Sequence, residues 1–235
     1  MTNPATPART AMPAETIELI VFDWDGTLVD STAAIANAIR GAAADLDLVV
    51  PSFGKASHVI GLGLADALRH AVPDLRHEQI SEFSDRYRHH FVQLAADLAP
   101  FDGVVPMLEA LKSKSTLVTI ATGKSRAGLD RALDDANWRP FFASTRCADE
   151  GAPKPDPWML NDLCESMGVA PSNTVMIGDT SHDLNMAASA GTHSIGVTYG
   201  AHPRAELAAL ASIGMVDNAN DLHALLMVLI GEQGR

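Results

Sequence analysis

The chain has 235 residues, 47% of them apolar, a mass of 24.9 kDa, a formal net charge of −12 and a pI near 5.0. That length and apolar fraction allow one large or two modest packed domains. The acidic balance argues against nucleic acid or an anionic membrane surface as a partner, so an anionic substrate must meet local positive charge from a metal ion, a lysine or a helix N-terminus.

Residues 1–16, rich in Pro, Ala and Thr, lack the apolar core of a signal peptide and read as a mobile tail. No apolar run is long enough to span a bilayer, and two cysteines, Cys147 and Cys164, give no disulfide framework. Both features suit a reducing, cytoplasmic setting.

Leu19 to Phe22 is an apolar run that predicts a buried strand. It ends in Asp23-Trp24-Asp25-Gly26-Thr27. Ligands of open α/β sheets bind beyond the carboxyl ends of strands, so these acids stand where chemistry would stand. If the pleat persists, the two carboxylates point the same way. They then repel each other unless a cation joins them or one holds a proton. The bland alternative is a polar turn that caps the next helix.

Thr32 to Leu46 carries apolar residues at helical spacing, with Asp30 or Ser31 as N-cap. Gly61-Leu62-Gly63-Leu64 predicts a loop opening into a helix over Ala65–Ala71, and a further helix runs from about His77 to Leu98. Residues 32–99 thus read as an all-helical block, closed by Pro100, Gly103 and Pro106. From there helices and strands alternate. Helices are expected over Val104–Lys114, from Ser125 to about Ala136, and over Asp156–Gly168, Leu184–Ala190, Pro203–Ala211 and Leu222–Ile230. Strands are expected over Thr116–Ala121, Phe141–Thr145, Thr174–Ile177, His193–Val197 and Met215–Val216. Alternation of this kind implies βαβ units with right-handed crossovers. The expected fold is α/β: a doubly wound parallel sheet built from 17–31 and 100–235, with the helical block inserted as a cap.

Three of the strands end in polar groups: Asp23 and Asp25, Thr122-Gly123, and Asp179 with Asp183. Between the last two lies Lys154, held between Pro153 and Pro155 just before a helix. Lys124 and Arg126 read as surface or helix residues, His182 as a bystander, and His89-His90 as an exposed pair. Both cysteines read as structural, since neither has an evident base partner.

This constellation resembles the haloacid dehalogenase superfamily, whose four motifs correspond to Asp23-Trp-Asp25-Gly-Thr27, Thr122, Lys154 and Gly178-Asp179-x-x-x-Asp183. The likeness runs from about residue 17 to the end, and the inserted helices match the cap of the type-one members. It implies that Asp23 is a nucleophile forming an aspartyl phosphate and Asp25 a general acid and base. It implies a Mg²⁺ ion held by the Asp23 side chain, the Asp25 carbonyl, Asp179 and, directly or through water, Asp183. Thr122, Gly123 and Lys154 would hold the phosphoryl oxygens. The second motif-one acid, Asp25, argues against dehalogenation. The absence of a lysine near Gly61–Leu64 argues against a phosphonoacetaldehyde hydrolase. A sugar-phosphate mutase keeps both acids and stays open. The overall pattern, including Gly196-Val-Thr-Tyr-Gly-Ala-His202, is most similar to phosphoglycolate phosphatase-like proteins. However, Thr32-Ala-Ala-Ile35 stands where many of them carry Pro-Asp-Leu. The implied activity is hydrolysis of a small phosphorylated metabolite. Alternatives from another class are a phosphate-accepting signalling module or an inactive binding module. Closure over the site is expected to hinge near Leu28–Asp30 and Ala99–Gly103.

Overall fold

The structure, a computed structural model, describes residues 16–95 and 98–231. Residues 1–15 of the expected tail lie outside that range. Six strands, β1 (Leu19–Phe22), β2 (Leu117–Thr122), β3 (Ser144–Cys147), β4 (Thr174–Gly178), β5 (His193–Val197) and β6 (Gly214–Val216), form one sheet in the order β3-β2-β1-β4-β5-β6. Every neighbouring pair is parallel. The order runs outward from β1 on one side and from β4 on the other. The β1/β4 boundary is therefore the switch point at which such sheets bind ligands.

The pleat of β1 sets the layers. Ile20 and Phe22 face one core, shared with α5 (Val104–Lys112), α6 (Arg126–Ala136) and α10 (Ala219–Leu229) through Met107, Leu108, Leu129, Leu222 and Leu226. Leu19 and Val21 face the other, with Met159, Leu163 and Met186 of α7 (Trp158–Met167) and α8 (Ser181–Ala190). Residues one apart thus serve opposite faces, as the period of two demands. The doubly wound parallel architecture expected from the alternation is present.

Between β1 and β2 the chain forms α1 (Thr32–Asp45), α2 (Phe53–Ser57), α3 (Leu64–Ala71) and α4 (Ile80–Leu94). Their apolar residues, among them Ile35, Ile39, Ile60, Leu68 and Phe83, gather into a cluster separate from both sheet cores. The segments entering and leaving this block lie side by side. Val29 bridges Pro100 in antiparallel fashion, the Asp30 N–H donates to the Ala99 carbonyl, and that of Phe101 donates to Leu28.

Several boundaries differ from expectation for local reasons. The first residues of the long cap helix, His77–Gln79, form a 3₁₀ turn before α4. β3 starts later than expected because Arg139–Phe141, with Pro140 in its first turn, makes another 3₁₀ turn. α8 begins at Ser181 rather than Leu184. Thr180 caps it by accepting from the Asp183 N–H while the Asp183 carboxylate accepts from Thr180, a reciprocal capping box. The helix expected over Pro203–Ala211 shortens to α9 (Arg204–Leu207), and the five residues of α2 were not anticipated.

Candidate functional site

The carboxyl ends of β2, β1 and β4 lie side by side, so Thr122, Asp23 and Asp179 meet at one edge of the sheet. The strand pleat does not continue past Phe22, because Asp25 already bridges Val29 in the turn that follows. Trp24, between the two acids, turns into the core against Trp138 at 5.5 Å between ring centroids. The two carboxylates consequently hold different partners. Asp23 accepts from Lys154 at 2.7 Å, whereas Asp25 accepts from the Ser31 hydroxyl at 2.7 Å and pairs with Lys124 at 2.9 Å.

Lys154 is the hub of the buried charge. Its ammonium is wholly buried and donates to Asp23 and, at 2.6 Å, to Asp183. Burial disfavours the ammonium, yet Asp183 and Asp23 outweigh that, so Lys154 is held above the ordinary lysine range. Asp179 accepts from the Thr27 hydroxyl at 3.0 Å and from the Ala201 N–H at 2.6 Å. Asp183 also accepts from the Thr180 hydroxyl at 2.6 Å. One carboxylate thus both caps the start of α8 and belongs to the site.

One carboxylate oxygen from each of Asp23, Asp179 and Asp183 lies within 4.8 Å of the other two, and all three residues are buried. Three carboxylates face one ammonium. Burial pushes Asp23 well above its ordinary value against the pull of Lys154, with Asp183 and Asp179 adding to the rise. Burial and then Asp183 push Asp179 up to about 7. The Asp23 Oδ2 atom is buried with no hydrogen-bond partner among the described residues. An orphaned buried carboxylate oxygen beside two further acids is the donor set of a hard, oxygen-preferring cation, so these residues could hold a metal ion. The Asp25 side chain stands outside that group, bound to Ser31 and Lys124.

The Thr122 hydroxyl is buried and accepts from the Lys124 N–H at 3.2 Å. Gly123 passes under the loop between α2 and α3. A Cβ at Gly123 would lie 2.6 Å from the carbonyl oxygens of Gly61 and Leu62. Lys124, read from the sequence as a surface or helix residue, instead sits inside the site with its ammonium on Asp25 and 5.1 Å from the Phe91 ring centroid. Arg126 stays outside, bonded to Glu150 and Thr145.

Three histidines from distant segments also converge. The His58 carbonyl, at the end of α2, lies 2.9 Å from His202 Nε2 and 3.2 Å from His182 Nε2. A carbonyl only accepts, so both imidazoles donate through Nε2. His202 Nδ1 then accepts from the Ser181 N–H at 3.1 Å. The His58 ring stacks on His202 at 4.3 Å and reaches Glu206 at 3.2 Å. With both nitrogens of His202 in use, the trio fastens the helical block to α8 and the loop after β5. His182 is part of that clamp.

Comparison with known proteins places this geometry in context. Residues 20–197 match the family model described as haloacid dehalogenase-like hydrolase. The protein named probable phosphatase IndB of Dickeya dadantii is 34% identical over 218 residues, covering 88% of this chain and 94% of that one. A phosphoglycolate phosphatase of Aliivibrio fischeri is 30% identical, with 79% and 86% covered. The crystal structure of a hydrolase from Pseudomonas syringae shares the fold at a TM-score of 0.81 and 21% identity, covering 90% of this chain and 98% of that one.

Proposed function

The chain belongs to the haloacid dehalogenase-like hydrolases and is a phosphatase of that family; from this premise we propose that it hydrolyses a phosphomonoester through an aspartyl phosphate on Asp23, with Mg²⁺ as cofactor. The observation that carries the reading is the buried, unpartnered Asp23 Oδ2 at the switch point of the sheet. Lys154 holds the other oxygen, Oδ1, so Oδ2 is the oxygen of Asp23 left without a hydrogen bond among the described residues.

In the first half-reaction an Asp23 oxygen bonds to phosphorus, the bond to the ester oxygen breaks, and Asp25 gives that oxygen a proton. In the second half Asp25 takes a proton from water. The resulting hydroxide bonds to phosphorus, the acyl-phosphate bond breaks, and inorganic phosphate leaves. Asp25 suits this work because Ser31 and Lys124 fix it without drawing it into the Asp23, Asp179 and Asp183 group.

Lys154 orients Asp23 and puts positive charge beside the phosphoryl group. The Thr122 hydroxyl and the Gly123 backbone lie on the adjacent strand end to receive phosphoryl oxygens. Asp23, Asp179, Asp183 and the Asp25 carbonyl would hold Mg²⁺, which when bound supplies positive charge against the phosphate oxygens.

The test is phosphate release from a panel of phosphomonoesters, with Mg²⁺ and with EDTA, in wild type and Asp23→Asn. The relatives' name makes phosphoglycolate one member of the panel. Mg²⁺-dependent release lost in the variant supports the reading; release that persists in Asp23→Asn removes Asp23 as nucleophile.

A further inference from the structure

Beside Asp25 and Lys124 the helical block and the core flank a partly open cavity of about 920 Å³. It is far larger than a two-carbon acid requires, and it lies at the upper end of the roughly 300–1,000 Å³ that takes drug-sized ligands. Ile39, Ile60, Tyr87 and Phe91 line it from the helical block, and Trp24 and Trp138 from the core. The cavity is continuous with Asp25, the group that would protonate the departing oxygen.

The charges along the wall narrow its occupant further. Lys124 is committed to Asp25, and Arg88 is bonded to Asp85 at 2.6 Å. Arg131 and Asp135, four residues apart on α6, add one charge of each sign to a lining that is otherwise mostly apolar. The loop that descends on the site, Gly61-Leu62-Gly63, brings no side-chain donor.

Resting on the phosphatase reading, we infer that the leaving group is a bulky, largely apolar alcohol with an aromatic or fused-ring body, and that Ile39, Ile60 and Phe91 select for it. A small anionic alcohol such as glycolate would leave most of the cavity unfilled.

The deciding experiment compares phosphate esters of primary alcohols, so that leaving-group reactivity is matched: ethyl phosphate, phosphoglycolate and 2-(2-naphthyl)ethyl phosphate, all with wild type and Mg²⁺. Burial of the ring system should raise kcat/KM for the naphthyl ester about 100-fold over ethyl phosphate. Phe91→Ala and Ile39→Glu should each cut that ratio at least about tenfold. A naphthyl-to-ethyl ratio below about 10, or phosphoglycolate as the better substrate, overturns the inference. Binding of 2-(2-naphthyl)ethanol, followed by its own fluorescence, separates the two readings. If no ester releases phosphate yet the alcohol binds below about 1 mM in wild type and not in Ile39→Glu, the phosphatase reading fails and the cavity assignment stands. Absence of alcohol binding overturns the cavity assignment, whatever the turnover.

Discussion

Replacing Lys154 by Met removes the one ammonium inside the acidic group and keeps most of the side-chain volume. Asp23 and Asp183 then lose bonds of 2.7 and 2.6 Å and remain buried. Breaking a buried ion pair by removing one partner costs about 3–5 kcal/mol. Protonation sets a ceiling on that cost. Neutralising a carboxyl whose ordinary value is 3.8 costs about 5 kcal/mol at pH 7.5 but only about 1.6 at pH 5, since each unit is about 1.36 kcal/mol. The sign is fixed by linkage. A carboxyl raised in the folded state binds its proton more tightly there than in the unfolded chain, so the variant recovers stability as pH falls and loses it as pH rises. In EDTA at about pH 7.5 the loss should be about 4 kcal/mol, a drop in Tm of about 10 °C for a chain of this size, shrinking to under half of that at about pH 5. Thermal unfolding followed by circular dichroism, wild type against variant at both pH values, measures this. A loss below about 1 kcal/mol at the higher pH, or an equal loss at both, would refute the buried-charge account.

Mg²⁺ should raise the wild-type Tm more at about pH 7.5 than at about pH 5, because Asp179, pushed up to about 7, competes for a proton at the lower value and its raised folded value costs stability as pH climbs from 4 to 7; a thermal melt with and without saturating Mg²⁺ checks it. Gly123→Ala should lower kcat/KM by about 10–100-fold and lower Tm as well, since its new Cβ would fall 2.6 Å from the Gly61 and Leu62 carbonyl oxygens and force that backbone outward, and a shift of about 1 Å at a site is costly; steady-state kinetics beside a melt would show it, and unchanged kinetics would count against the loop's role. His58→Ala removes the ring stacked on His202 and bonded to Glu206; amide exchange around residues 58–62 should quicken several-fold, with a stability loss of about 1 kcal/mol.

What the sequence made legible is what is local or periodic. β1 stands out because a central parallel strand must be apolar throughout, which makes the carboxylates after Phe22 conspicuous. Lys154 stands out because prolines flank it. Lys124 does not, because a lysine at a helix start ordinarily lies in solvent, and only the fold brings Asp25 and Phe91 to it. Ser31 read as a helix cap, yet its hydroxyl is spent on Asp25 and makes no cap bond. The clamp of His58, His182 and His202 has no sequence spacing to betray it, since its members come from α2, α8 and the loop after β5. The five residues of α2 are too few for a helical period to register.

The glycines around Asp179 explain why the motif needs more than its acids. A Cβ on Gly26 would fall 2.2 Å from Asp179 Oδ2, and one on Gly200 would meet the same oxygen at 2.2 Å. The first lies in the turn after β1, at a φ of +81° that side-chain-bearing residues resist, and the second lies in the loop after β5. Asp179 is thus held between two stretches of bare backbone from separate parts of the chain, with Thr27 and Ala201 donating to it. Any side chain at either position would displace the carboxylate from the 4.8 Å group it forms with Asp23 and Asp183. Gly26 therefore serves the carboxylate as much as the turn. The acid that follows β4 keeps its place only because the turn after β1 and the loop after β5 both leave room for it.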